Sequence, residues 1–153
     1  MRIKLLAKQK GEWAEVCFAA EILRRGWRIS RPYGDSCLYD CIVDVRGRIS
    51  RVQVKSVDRK SRSRIRCYPV NMVHGRRYHL RYSPREVDVI AVFIVPKSLW
   101  YIVPIRAVDG RGLLSFAADK KIRGGLEQYR EAWSVLKGMR FLLRIRVDPR
   151  NPR

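Results

Sequence analysis

Residues 39–56, YDCIVDVRGRISRVQVKS, constrain the fold more than any other stretch of the chain. Apolar and polar residues alternate along them, which is the period of a half-buried strand. In the first half Tyr39, Cys41, Val43 and Val45 point one way, and Asp40, Ile42 and Asp44 the other. Arg46, Gly47 and Arg48 supply the turn, where Gly47 can take the positive φ a hairpin requires. Asp44 reads as a turn residue. In the second half Val52 and Val54 share one face, Gln53 and Lys55 the other. The pattern predicts a hairpin that carries Asp40, Gln53 and Lys55 on one side of a sheet.

Charge says what such a side would meet. The 153 residues hold 34 Lys and Arg against 14 Asp and Glu, a net charge of +20. Self-repulsion on that scale favours a polyanionic partner over a merely solvated surface. Arg outnumbers Lys, and its planar fork suits phosphate oxygens and guanine edges. A membrane is not expected as a partner, because no long apolar run or basic amphipathic helix is evident. The N-terminal apolar stretch is too short for a signal peptide, so a cytoplasmic location is expected. Cys17, Cys37, Cys41 and Cys67 form no CxxC, and His74 and His79 lack zinc-finger spacing. The thiols read as structural or incidental.

A single domain over 1–153 is expected. Residues 8–25 predict an amphipathic helix with Val16, Ala19, Ala20, Ile22 and Leu23 as its apolar stripe, capped at Gly26. Glu15 falls on the edge of that stripe, facing inward. Glu12, one turn earlier, fits an acid stabilised by the helix dipole, with catalysis as a weaker second reading. A short strand over 27–30 and a Pro/Gly/Asp loop lead into the hairpin. Beyond it lies a basic insert, about 58–85, in which Tyr68, Tyr78, His79 and Tyr82 interleave with Arg. Arg59, Lys60, Arg62, Arg64, Arg66, Arg76, Arg77 and Arg81 are its candidate nucleic-acid contacts. Were 62–66 a strand, Arg62, Arg64 and Arg66 would share a face. Residues 87–95, VDVIAVFIV, predict a central strand buried on both faces. Residues 99–105 predict a further strand, 105–124 an irregular stretch, and 126–136 a second helix presenting Tyr129, Trp133 and Leu136. A last strand, FLLRIRV, is expected in the tail. The order implies an α/β domain, a mixed β-sheet flanked by α-helices.

Glu15, Asp40, Gln53 and Lys55 have no ready structural reason. Two carboxylates and an amide oxygen are hard ligands suited to Mg²⁺. An ion there would neutralise a phosphodiester oxygen and acidify a water. A lysine further along the same face could orient that water or stabilise the developing charge.

KGEWAEV, YDCIV and RVQVKS together resemble the PD-(D/E)XK nuclease superfamily, closely over about 8–57 and more loosely to about 105. The resemblance implies a restriction-endonuclease-like core. It implies Asp40 as the motif Asp, Gln53-Val54-Lys55 as (D/E)-x-K, and Glu15 as the helix Glu. Gln53 departs from the usual acid and removes a negative charge. It matches a small Gln-x-Lys branch that includes a group I intron-encoded bacterial homing endonuclease. The implied catalytic set is Glu15, Asp40, Gln53 and Lys55, with Glu15, Asp40 and Gln53 on Mg²⁺, Mn²⁺ being a possible substitute. The implied activity is sequence-specific double-strand cleavage of DNA by a homo-oligomer, a dimer or tetramer. A Holliday-junction or other structure-selective nuclease, and an inactive DNA-binding protein on the same fold, are the alternatives.

Overall fold

The computed structural model describes residues 6–34, 36–62, 66–74, 80–119 and 124–138. Helix α1 spans Ala7–Arg24 and buries Ala14, Phe18 and Ile22, a stripe at i, i+4 and i+8. The expected stripe is corrected: Val16 and Leu23 are each 61% exposed. The helix is rotated so that Phe18 lies against Trp100 and Trp133, with ring centroids 5.4 and 6.0 Å apart. One buried aromatic removes more apolar area from water than a valine on the competing face. Gly26, at φ +71, ends the helix. Its N–H donates to the Leu23 carbonyl and that of Trp27 to Ile22.

Nine strands follow among the described residues. They are β1 (Arg28–Ser30), β2 (Cys41–Val45), β3 (Arg48–Val57), β4 (Tyr68–Asn71), β5 (Val73–His74), β6 (Leu80–Arg81), β7 (Val89–Ile94), β8 (Leu99–Pro104) and β9 (Leu113–Phe116). The main sheet has the order β1-β2-β3-β7-β8. All its neighbours are antiparallel except β3 and β7. This is the expected mixed sheet of a restriction-endonuclease-like core. Two boundaries shift: β1 starts at Arg28 rather than Trp27, and β2 at Cys41, so Tyr39 and Asp40 stand just ahead of it. The turn between β2 and β3 has two residues, Arg46 and Gly47, both at positive φ. Asp44 Oδ1 accepts the Gly47 N–H at 2.7 Å.

The β7 side chains are buried on both faces, as their continuous apolar run predicts. A parallel neighbour needs a crossover, because the chain must return to the same end of the sheet. The basic insert is that crossover. It carries β4, β5 and β6 and, among the described residues, no α-helix. Arg51 moors its far end, with Nε and Nη2 on the Asp88 carboxylate at 3.0 and 2.9 Å and Nη2 also on the Pro84 carbonyl at 3.1 Å.

Directly paired residues share a face of the sheet. One face, with Phe93 and Trp100, packs on Trp13 and Phe18 of α1. The other, with Lys55, Val92 and Tyr101, meets the β4–β9 pair, where Tyr101 lies 4.5 Å from Phe116. Strand β9 falls in a stretch expected to be irregular. The second helix is also corrected: Gly125–Tyr129 and Trp133–Lys137 are separate 3₁₀ segments. Glu131 between them sits at φ +49. Its N–H donates to the Trp100 carbonyl, and its carboxylate accepts the Trp100 N–H and the Trp133 indole N–H, both at 2.7 Å. Covering the polar edge of β8 thus outcompetes a continuous helix. Tyr129, Trp133 and Leu136 are buried all the same. The expected last strand lies outside the described residues. No helix among the described residues is long and apolar enough to cross a membrane.

Candidate active site

The β2–β3 register pairs Cys41 with Val52, so Asp40, one residue earlier, stands opposite Gln53. Asp40 Oδ2 accepts the Gln53 Nε2–H at 2.5 Å and the Val54 N–H at 2.7 Å. The Asp40 N–H donates to the Val52 carbonyl at 2.9 Å. Burial pushes the Asp40 carboxyl above its usual range, more than the Val54 N–H, Lys55 and Gln53 pull it down.

Glu15 reaches the same place from α1. It lines a cleft with Val16, Ala19, Ile29, Arg31, Asp40 and Cys41. Its side chain is 23% exposed, and its carboxylate forms an ion pair with Arg31. Burial, and next the charge of Asp40, raise its pKa despite Arg31. Burial, with Asp40 and Glu15 adding to it, pushes the Cys41 thiol up to about 12, which leaves it unreactive at neutral pH.

Lys55 follows Gln53 on the same strand face. Its Nζ donates to the Tyr82 hydroxyl at 2.9 Å and stands 5.0 Å from the centre of that ring. Its charge favours the ionised form of Asp40.

No group of three or more His, Cys, Asp or Glu gathers as a metal site among the described residues. The oxygens on offer are the Glu15 and Asp40 carboxylates and the amide oxygen of Gln53. Gln53 Nε2 is turned to Asp40 and, at 3.3 Å, to the Val54 carbonyl, which leaves Oε1 as the ligating end. Two carboxylates whose ionisation burial opposes are short of positive charge, and all three donors are hard oxygens. The set fits a divalent cation of the Mg²⁺ or Mn²⁺ kind.

The structure therefore brings Glu15, Asp40, Gln53 and Lys55 to one region. Glu12 is not brought there: its side chain is 59% exposed and 4.0 Å from Lys8. Arg59, Lys60, Arg62, Arg66 and Arg81 are exposed on the crossover. Arg62 and Arg66 belong to no strand, so the shared strand face expected for them is not formed. Arg64, Arg76 and Arg77 lie outside the described residues. Lys60 pairs with Asp119, which also holds Lys97 at 2.6 Å, and Arg81 donates to the Gly110 carbonyl. Sequence reasoning missed two residues beside the site. Arg31 gives no signal, being one arginine among many at the start of a loop. Tyr82 belonged to the noted interleaving of aromatics and arginines, but nothing local ties it to Lys55.

A family model described as PD-(D/E)XK endonuclease matches residues 6–135. Among solved structures the chain is similar to a bacterial homing endonuclease, I-Ssp6803I. The two share 27% identity at a TM-score of 0.74, over 85% of this chain and 92% of that one. It is more distantly similar to Hjc of Archaeoglobus fulgidus, a Holliday junction resolvase, with 16% identity at a TM-score of 0.44, over 64% of this chain and 75% of that one. No curated protein matches significantly.

Proposed function

The chain belongs to the PD-(D/E)XK endonuclease family, and we propose that it is a divalent-metal-dependent DNA endonuclease that makes sequence-specific double-strand cuts, as a homing endonuclease does. The observation that carries the reading is the facing pair Asp40 and Gln53, with Lys55 next on the same face and Glu15 lining the cleft beside Asp40. The likeness to a homing endonuclease along most of both chains supports the finer part.

Glu15 and Asp40, with Gln53 Oε1, would hold Mg²⁺, with Mn²⁺ as a substitute. When bound, such an ion supplies charge neutralisation at the phosphodiester and a more acidic nucleophilic water. Gln53 fixes the Asp40 carboxylate by donating to it, so that carboxylate is oriented before substrate arrives. Lys55 presents a cation beside Asp40, where it stabilises negative charge building on the phosphate or orients the attacking water. The +20 charge draws the duplex to the surface, and the exposed arginines of the crossover hold its backbone.

One such site cuts one strand, so a homo-oligomer completes a double-strand break. Trp13 and Leu23 of α1 and Leu6 just ahead of it are exposed, an apolar surface away from the cleft that a second copy could cover. The whole chain acts as one nuclease domain, in the cytoplasm where its DNA lies.

The test incubates the parent and Lys55→Ala with a library of random-sequence duplexes and a four-way junction, each with Mg²⁺. The expected result is metal-dependent cleavage of a narrow set of duplexes by the parent and none by the variant. Cleavage of the junction alone would instead make the protein a structure-selective nuclease. Tight binding with no cleavage of either would make it a binding protein on a nuclease fold.

A further inference from the structure

We propose that Tyr82 is the positioning residue for Lys55, and that through it the basic crossover sets the catalytic cation. The inference rests on the reading of Lys55 as part of the active site. Among the described residues the Lys55 ammonium hydrogen-bonds to Tyr82 and to nothing else. It is in no ion pair with Asp40, whose Oδ2 is occupied by Gln53 and Val54. A lysine side chain is a point charge on a flexible stem, and its direction is set by whatever receives its N–H groups. Here a hydroxyl receives one at 2.9 Å, and the ring lies 5.0 Å away.

Tyr82 is suited to hold a charge still. It is 6% exposed, and His74 packs on it with centroids 4.9 Å apart. It directly follows β6, which pairs with β5, where His74 ends. That small hairpin is tied to the 110–112 turn by the Met72 N–H on the Gly112 carbonyl at 2.9 Å and by Arg81 on the Gly110 carbonyl. The crossover thus presents Arg62, Arg66 and Arg81 outward and Tyr82 inward. The side chain that fixes Lys55 is part of the element that meets the DNA.

Tyr82→Phe keeps the ring and removes the oxygen. The experiment uses the duplex that the parent cuts best from a random-sequence library, with Mg²⁺ and enzyme in saturating excess. The expected result is a cleavage rate lowered about tenfold or more, with the affinity for that duplex without divalent ions changed by less than about twofold. A purely structural role would shift affinity and melting temperature along with rate. As a second measurement, the ¹⁵N–H signal of the Lys55 ammonium is expected to be sharp in the parent and broadened by exchange in Tyr82→Phe. An unchanged rate, or an unchanged ammonium signal, overturns the proposal. If Lys55→Ala cuts as fast as the parent, the reading of Lys55 fails and takes this proposal with it. If Lys55→Ala is inactive while Tyr82→Phe is normal, only the proposal for Tyr82 fails.

Discussion

Asp40 and Gln53 face each other across an antiparallel pair, joined by a hydrogen bond of 2.5 Å from the amide to the carboxylate. Where an acid at position 53 would set a second negative charge against the first, the amide donates to it. The Gln departure thus organises the Asp40 carboxylate, and on the proposed reading its cost would fall on the attraction for the cation.

Gln53→Glu should therefore lower the melting temperature in the presence of a chelator and gain more than the parent from added Mg²⁺. Gln53→Ala should cost about 1–3 kcal/mol, the range for losing one partner of a buried polar pair. Thermal melts with and without Mg²⁺ check both. A Gln53→Glu protein that is equally stable with and without the ion would count against a cation site there.

Lys55→Ala should reduce cleavage by roughly 100-fold or more, the effect expected when a group stabilising developing charge is removed. Affinity for the duplex should change little, because one charge among many on a +20 chain contributes modestly to phosphate attraction. Parallel titrations of binding and rate separate the two.

Stability should depend on pH through Asp40. Its pKa is raised in the folded protein, chiefly by burial, so folding takes up a proton between the ordinary value of 3.8 and the raised one. Its contribution to stability is then greatest below 3.8, falls as pH climbs through that window, and stays low above it. Asp40→Asn should melt higher than the parent at pH 7 in chelator, and the advantage should fade as pH drops toward 3.8. Added Mg²⁺ should raise the parent's melting temperature and leave the variant's unchanged.

Arg51→Ala should destabilise the root of the crossover. The variant loses the paired bonds to Asp88 and the bonds to the carbonyls of Pro84 and Arg85. These groups are partly exposed, so water replaces some of the loss and the cost should be about 1–2 kcal/mol. Hydrogen exchange should rise first in residues 82–88, before the central strands. Uniform loss of protection would mean that the crossover is not a separately anchored unit.

The hairpin could be read from the chain because a period of two is unambiguous over 18 residues with one turn signal in the middle. Its alternation alone places Asp40, Gln53 and Lys55 on one face. The rotation of α1 was harder to read. Ala14, Val16, Phe18, Ile22 and Leu23 spread apolar character around the helix, and only the aromatic partners on β8 and the second 3₁₀ segment, Trp100 and Trp133, choose Phe18. The break at Glu131 was hidden for the opposite reason. Its sequence is helix-like, but the open edge of β8 claims its backbone and its carboxylate. Arg31 and Tyr82 reach the site through tertiary contacts, which leave no local pattern.

The two-residue turn at Arg46 and Gly47 fixes how this family member can tolerate insertions and deletions. Asp40 and Gln53 oppose each other only because the strands between them have matched lengths. Adding one residue to the turn, with β3 taking it up as a shift in register, would present Val52 and Val54 where Gln53 and Lys55 now stand. The turn is thus a counting device. Its length can drift by two residues at modest cost, or by one only where a bulge absorbs the extra residue, and lineages that kept the chemistry should show that parity.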